Sequence, residues 1–490
     1  MVLLAFVPLV YPPIPPLVDL PGHMGRYRVE LDLASSALLQ RYYTYHWTLI
    51  GNLGVDLLII PMAKLFGLEL GTKLIVICIP PLTVAGFLWV AREVHHRIPP
   101  TALFALPFAF GHPFLFGFVN FSLSMAFAFL AFGLWLRLGR LGRLRLRLAL
   151  FVPISLIVFL THTFGWGVLG LLCFSAEAVR QHDQGKQWWR AGFHAALPSL
   201  SMALPLLIII LWRHDAAGGI TADYLNWRAK LLFIDTALRD RWKNFDEFSI
   251  FVCGVVVILT LRINALGFSR NLGFSAFVLL GIYILLPRVI FGSNYADMRL
   301  VPFIIAVILL GIRFRGETPI RPARWLAALG FAFFLARLVG TTASFAIAAN
   351  DQLAQLEALN YVPRGARVAS LVGAPCSDDW AQFRNSHLGA MVIVRRDGFS
   401  NDQWRMDGAQ LLSVKNVEGW GWFGTDPSQL VNSDGCGTWE HWSIDHSLTA
   451  LPREKFDFLW LIDPPQYDPR HVTGLTPVWR HAGSILYRIR

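Results

Sequence analysis

The stretch Phe121–Leu160, FSLSMAFAFLAFGLWLRLGRLGRLRLRLALFVPISLIVFL, decides how the chain is to be read. Two apolar runs, Phe121–Leu136 and Leu148–Leu160, flank a short connection that holds Arg137, Arg140, Arg143, Arg145 and Arg147 and no acid. A bilayer-crossing helix needs roughly 20 mostly apolar residues, fewer where its ends snorkel, and short cytoplasmic loops collect arginine. The stretch therefore predicts two membrane helices joined on the cytoplasmic side.

Outward from it the pattern repeats. Further apolar runs stand at Val2–Leu17, Thr72–Val90, Thr101–Phe118, Trp166–Ala178, Ala195–Trp212, Phe248–Leu261, Leu272–Leu286, Val301–Ile312 and Trp325–Val339. Together they predict an α-helical polytopic membrane protein with about eleven transmembrane helices. Arg92 and Arg97, then Arg180, Lys186 and Arg190, then Arg262 and Arg270, then Arg313, Arg315, Arg321 and Arg324 mark every second later connection as cytoplasmic. The outer connections are then Asp19–Gly71, Phe118–Asn120, Thr161–Gly165, Arg213–Glu247 and Arg288–Leu300. Within the first of these, Asn52–Phe66 reads as an interfacial or re-entrant helix.

Composition agrees. Of 490 residues, 55% are hydrophobic and 15% charged, and the mean hydropathy is +0.49. Soluble domains carry about 25% charged residues, so this chain cannot coat a water-facing surface along its whole length. Disorder, coiled coil and collagen are excluded by the same figures. The net charge of +11 lies between apolar runs rather than on one face or tail, which fits a bilayer and not nucleic acid. No P-loop, no GxGxxG after a strand and no HExxH is present, so cytoplasmic nucleotide chemistry has no support.

From about Ser344 turn residues, acids and short runs replace the long apolar stretches. Ala366–Val372, Met391–Val394 and Phe456–Ile462 read as strands and Asn350–Leu359 as a helix, predicting a small extracytoplasmic α/β domain. The expected division is 1–343, a membrane module including the outer loop 19–71, and 344–490. Cys376 and Cys436 fall in the polar part and could pair if it is extracytoplasmic; Cys78, Cys173 and Cys253 sit in apolar segments as packing residues. Trp380, Trp404, Trp420, Trp422, Trp439 and Trp442 read as core or membrane-contact residues before they read as sugar platforms.

Ionisable groups near membrane depth are costly unless paired or solvated, so they are the candidates for chemistry. In Pro15-Pro16-Leu17-Val18-Asp19-Leu20-Pro21-Gly22-His23-Met24-Gly25-Arg26 the prolines end the first helix and place Asp19 at the surface, with His23 and Arg26 following. A carboxylate beside an imidazole and a guanidinium can accept a proton while the cations hold an anionic leaving group. The same spacing also fits an N-capping aspartate with a snorkelling arginine. Asn120, His162, Asp297 and Arg299 fall on the same outer side, and Asp56 is an acid in an apolar interfacial helix. Each alone also has a structural reading; Asp297 could pair with Arg299, and Asp56 could hydrogen-bond within the first outer segment.

Val18-Asp19-Leu20-Pro21-Gly22-His23, then Tyr42-Tyr43 and Asn52-Leu53-Gly54-Val55-Asp56-Leu57-Leu58, resemble the bacterial branch of the GT-C superfamily of polytopic glycosyltransferases. The resemblance covers the membrane region. It implies transfer of a sugar from a polyprenyl-phosphate carrier to an envelope lipid, glycan or protein, at the periplasmic face of the bacterial inner membrane. It implies inversion, with Asp19 as general base, while Arg26 or Arg299, with His23 or His162 nearby, would steady the departing phosphate. Asp19 is followed by Leu20 and not by a second acid, so no cofactor is implied outright and a divalent cation stays an option. The alternatives are a transporter or flippase of a lipid-linked substrate and a non-catalytic component of an envelope polymer assembly.

Overall fold

The computed structural model describes all residues except 213–219, 291, 317–319, 377–378, 404–409 and 437–440. Trp404 and Trp439, and part of the Arg213–Glu247 connection, lie outside the described residues. The chain divides into two compact units: 1–10, 49–57 and 75–343 form one, and 11–48, 58–74 and 344–490 form the other.

The first unit is helical. Among the described residues, five helices are long and apolar enough to cross a membrane: Leu68–His95, Val119–Arg140, Leu144–Thr161, Lys243–Arg262 and the one that begins at Ile320. A sixth is counted if Trp188–Met202 and Leu204–Leu211, bent by 64° at their junction, form one span. Pro100–Phe116, Arg270–Leu285 and Met298–Leu310 are shorter apolar helices. The expected span Val2–Leu17 is corrected: it forms only the helical turns Leu3–Phe6 and Val7–Val10. Pro12, Pro13, Pro15 and Pro16 follow, and proline lacks the N–H a helix interior needs.

Helices approach closely where glycine leaves room. A Cβ on Gly165 would meet the Ser124 side chain at 2.3 Å, and one on Gly133 the Trp89 ring at 2.9 Å, the small-residue contact that membrane helices use. The basic hairpin recruits acids from neighbouring helices. Arg140 binds Glu93 at 2.7 Å, and the buried Arg147 binds Glu177 at 3.0 Å while stacking on Trp135.

The second unit is built on a seven-stranded mixed sheet. Its strands are β1 (Arg367–Gly373), β2 (Phe399–Ser400), β3 (Leu430–Asn432), β4 (Trp442–Ser443), β5 (Phe458–Ile462), β6 (Thr476–His481) and β7 (Ser484–Arg488). The order is β6-β7-β5-β1-β3-β4, and β2 also pairs with β1. β1 runs parallel to β5, β2 and β3, and β3 parallel to β4; β7 is antiparallel to β5 and to β6. β1 and β5 match the expected strands because both are apolar and buried along their length. Met391–Val394 is corrected from strand to helix (Met391–Arg396); all four residues are buried, so their pattern carries no period that separates the two.

The grouping of loop 19–71 with the membrane module is also corrected. Val29, Leu39 and Tyr43 belong to one hydrophobic core with Leu371, Phe399, Trp420, Phe456 and Leu459. Tyr43–Tyr45 pairs with Leu412–Val414, and the Tyr43 hydroxyl donates to the Gly398 carbonyl at 3.3 Å. Much of the first outer segment thus folds as part of the C-terminal unit. Cys376 and Cys436 are joined in a disulfide.

Candidate active site

The helix Leu20–Asp32 opens with Pro21, whose fixed φ suits a first helical turn. Asp19 stands at its N-cap position, yet its side chain makes no capping hydrogen bond. Asp19, His23 and Arg26 are spaced i, i+4, i+7 and so share one helix face. Arg26 is buried, donates to His23 Nδ1 at 3.4 Å and lies over the Tyr27 ring. On the same helix, a Cβ on Gly25 would lie 3.3 Å from both Ala390 and Ile393. That close packing brings the helix against the segment that follows His387.

Asp19 is 3% exposed and its Oδ1 lies 3.9 Å from His387 Nε2. The other ring nitrogen, Nδ1, is 2.9 Å from Asp402 Oδ1 and 3.9 Å from Asp426 Oδ1. The second Asp402 oxygen accepts from the Ala390 amide at 3.0 Å. Gln429 donates to Asp426 at 2.6 Å. Asn401 anchors this arrangement. β2 and β3 occupy opposite ends of one edge of β1, and the Asn401 amide fills the gap between them. It accepts from Ser370 N at 2.7 Å and donates to Ser370 O at 3.0 Å, as a neighbouring strand would.

Charge follows from the geometry. Burial alone would lower the His387 imidazole, but the carboxylates of Asp402, Asp426 and Asp19 outweigh it and raise the ring to about 9. Burial raises Asp426 to about 6, with Asp402 adding and His387 opposing. The ring is thus cationic at neutral pH and flanked by carboxylates at both nitrogens. Such a constellation can hold one carboxylate oriented for proton transfer, and its nitrogen and oxygen atoms can also bind a cation.

The other predicted site residues lie in the first unit, where each has a defined structural task. Asn120 Nδ2 donates to Asp56 Oδ2 at 3.0 Å, and its Oδ1 accepts from Val55 N at 2.6 Å. This clasp ties the first turn of Gly54–Phe66 to the start of Val119–Arg140. His162 caps Thr163–Asp183, its Nδ1 accepting from Phe164 N at 3.1 Å, and packs edge-on against Phe121. Asp297 pairs with Lys230 at 3.2 Å. Arg299 donates to Ser293 Oγ at 3.1 Å and lies over Phe118.

Sequence reading missed His387, Asp402, Asp426 and Gln429. Their only signal is a scatter of polar residues in a region of turns, and no spacing rule links them.

No protein-family model and no curated protein matches the chain. Among solved structures, the chain is similar to ArnT from Cupriavidus metallidurans in the apo state, with a TM-score of 0.48 and 12% identity over 100% of this chain and 96% of that one. The same protein bound to undecaprenyl phosphate gives a TM-score of 0.47 at 11% identity over the same shares.

Proposed function

We propose that this protein is a membrane glycosyltransferase that moves a sugar from a polyprenyl-phosphate carrier to an envelope acceptor on the outer face of a bacterial inner membrane. The observation that carries the reading is the Asp19 carboxylate: it stands at a helix start without capping it and faces an imidazole held by two further acids. The disulfide supports an extracytoplasmic C-terminal unit, because such bonds persist in oxidising compartments.

In this mechanism Asp19 takes the proton of the acceptor hydroxyl as that oxygen attacks the anomeric carbon. The bond from that carbon to the carrier phosphate breaks, its electron pair leaves with the phosphate, and the configuration inverts. His387 fixes the orientation of Asp19, and Arg26, seated by His23 and Tyr27, supplies a fixed positive charge for the phosphate. A phosphate is already a good leaving group, so charge stabilisation contributes more than acid catalysis.

The test uses cells lacking the protein, complemented with wild type or Asp19→Asn, with envelope glycans measured by mass spectrometry and transfer measured in isolated membranes. A general base contributes about 10²–10⁴-fold, so the variant should lose at least about 100-fold while its amount and melting are unchanged. Undiminished transfer would remove Asp19 from the role.

A further inference from the structure

We infer that His387 Nδ1, Asp402 and Asp426 bind a divalent first-row metal cation, with the Gln429 amide oxygen as a fourth ligand. One atom from each of the first three residues lies within 4.8 Å of the others. Metal–ligand bonds of about 2.1 Å place ligand atoms roughly 3–4 Å apart around a shared ion, and Nδ1 stands 2.9 Å from Asp402 Oδ1 and 3.9 Å from Asp426 Oδ1.

Hydrogen bonding alone accounts poorly for the convergence. Nδ1 can carry one proton, yet two carboxylate oxygens face it, Asp402 Oδ1 at 2.9 Å and Asp426 Oδ1 at 3.9 Å. One proton serves one of these acceptors; a cation serves both carboxylates. Gln429 points the same way. The residue is fully buried, its Nε2 lies against Asp426 and His387, and its Oε1 has no hydrogen-bond partner. The two ends of an amide are nearly isosteric, so a half-turn about the last torsion brings the oxygen into the cluster. That orientation would set oxygen against oxygen without a cation and completes a coordination sphere with one.

The far side of the ring fits as well. Metal-bound histidines commonly present their second nitrogen to a carboxylate, which fixes ring and tautomer, and His387 Nε2 faces Asp19. One imidazole with two carboxylates and an amide suits Mn²⁺ or Zn²⁺ and is too rich in oxygen for Cu(I). Use of the cation to orient Asp19 rests on the glycosyltransferase reading; binding of the cation does not.

The experiment takes the full-length protein in detergent, stripped with chelator and titrated with Mn²⁺ under electron paramagnetic resonance, with Zn²⁺ as competitor and metal content checked by elemental analysis. Wild type should bind one Mn²⁺ that Zn²⁺ displaces, and its melting temperature should rise on binding. Asp402→Asn with Asp426→Asn should weaken binding at least about 100-fold and abolish the rise. Asp426→Asn alone alters the more exposed carboxylate and should weaken binding with the apo melting temperature unchanged. Asp19→Asn removes only the outer partner of the ring and should weaken binding about 10-fold, so at saturating Mn²⁺ it keeps the metal, and loss of transfer in that variant and loss of metal in the others are separate results. A wild type that binds neither ion, or binding unchanged in the Asp426 variants, overturns the inference.

Discussion

Asp56 and Asp19 occupy similar places. Each stands at the beginning of a helix that follows a turn, and they are 0% and 3% exposed. Their surroundings differ in kind. Asp56 is met by the Asn120 amide, which also takes the Val55 backbone N–H, so one neutral side chain joins a carboxylate to a main-chain segment. Asp19 is met by a ring that ionises and that further carboxylates hold from its other edge. An amide does not change charge with pH, so the first arrangement fastens the chain. The second can change its charge and its occupant. Burial of an acid therefore indicates function only together with the chemistry of what faces it.

The comparison breaks most directly on Asp19→Asn, whose loss of at least about 100-fold in transfer should come with no change in melting. Asn120→Ala should do the reverse. It removes a hydrogen-bond donor to a buried carboxylate and the acceptor of a buried N–H, costs about 3 kcal/mol in unfolding experiments, and leaves transfer per folded molecule within about 3-fold of wild type. Equal loss of transfer in both variants would erase the distinction.

Gly389→Ala sharpens it from within the site. A Cβ there would lie 2.6 Å from Ser370 Oγ and 3.1 Å from Asp402 Oδ2. Overpacking of this kind costs about 1–3 kcal/mol, and the displaced carboxylate should weaken Mn²⁺ binding measured by the same resonance titration.

The smallest effect concerns a third buried acid. Burial alone would raise Asp397, but Arg28, at 2.9 Å, and Arg364 outweigh it and hold the carboxyl below the usual range. A depressed folded value adds stability above the unfolded value near 3.9 that is lost as the pH falls through the folded one. Asp397→Asn should therefore flatten the acid limb of thermal stability and lower the neutral plateau by about 1 kcal/mol. Its positive φ of 50° is one that asparagine tolerates.

The long apolar helices were legible because apolar length is a local property, although five or six rather than about eleven are long and apolar enough to cross a membrane among the described residues. β1 and β5 were legible as apolar runs between turns. Asp19 was legible because prolines and a helix start bracket it. The N-terminal run misled, since a count of apolar residues does not register that its prolines break the hydrogen-bond ladder. His387, Asp402 and Asp426 were not legible for a topological reason. They meet because β2 and β3 lie along the same edge of β1 and because the helix after Asp19 packs on the segment after His387. Both facts are decided by tertiary pairing between residues far apart in the chain. Nothing in a window around any of the three residues announces the other two.

The Cys376–Cys436 bond joins positions 60 residues apart, with Cα atoms separated by 5.1 Å, and His387, Asp402, Asp426 and Gln429 all lie between them. Those four residues therefore sit on a closed covalent hoop. Breathing motions that would part them must take place with both ends of the hoop clasped. For a loop of this length the clasp removes about 4 kcal/mol of slack from the opened ensemble. Amide hydrogens across the hoop should consequently exchange with solvent more slowly in the oxidised protein than in the reduced one.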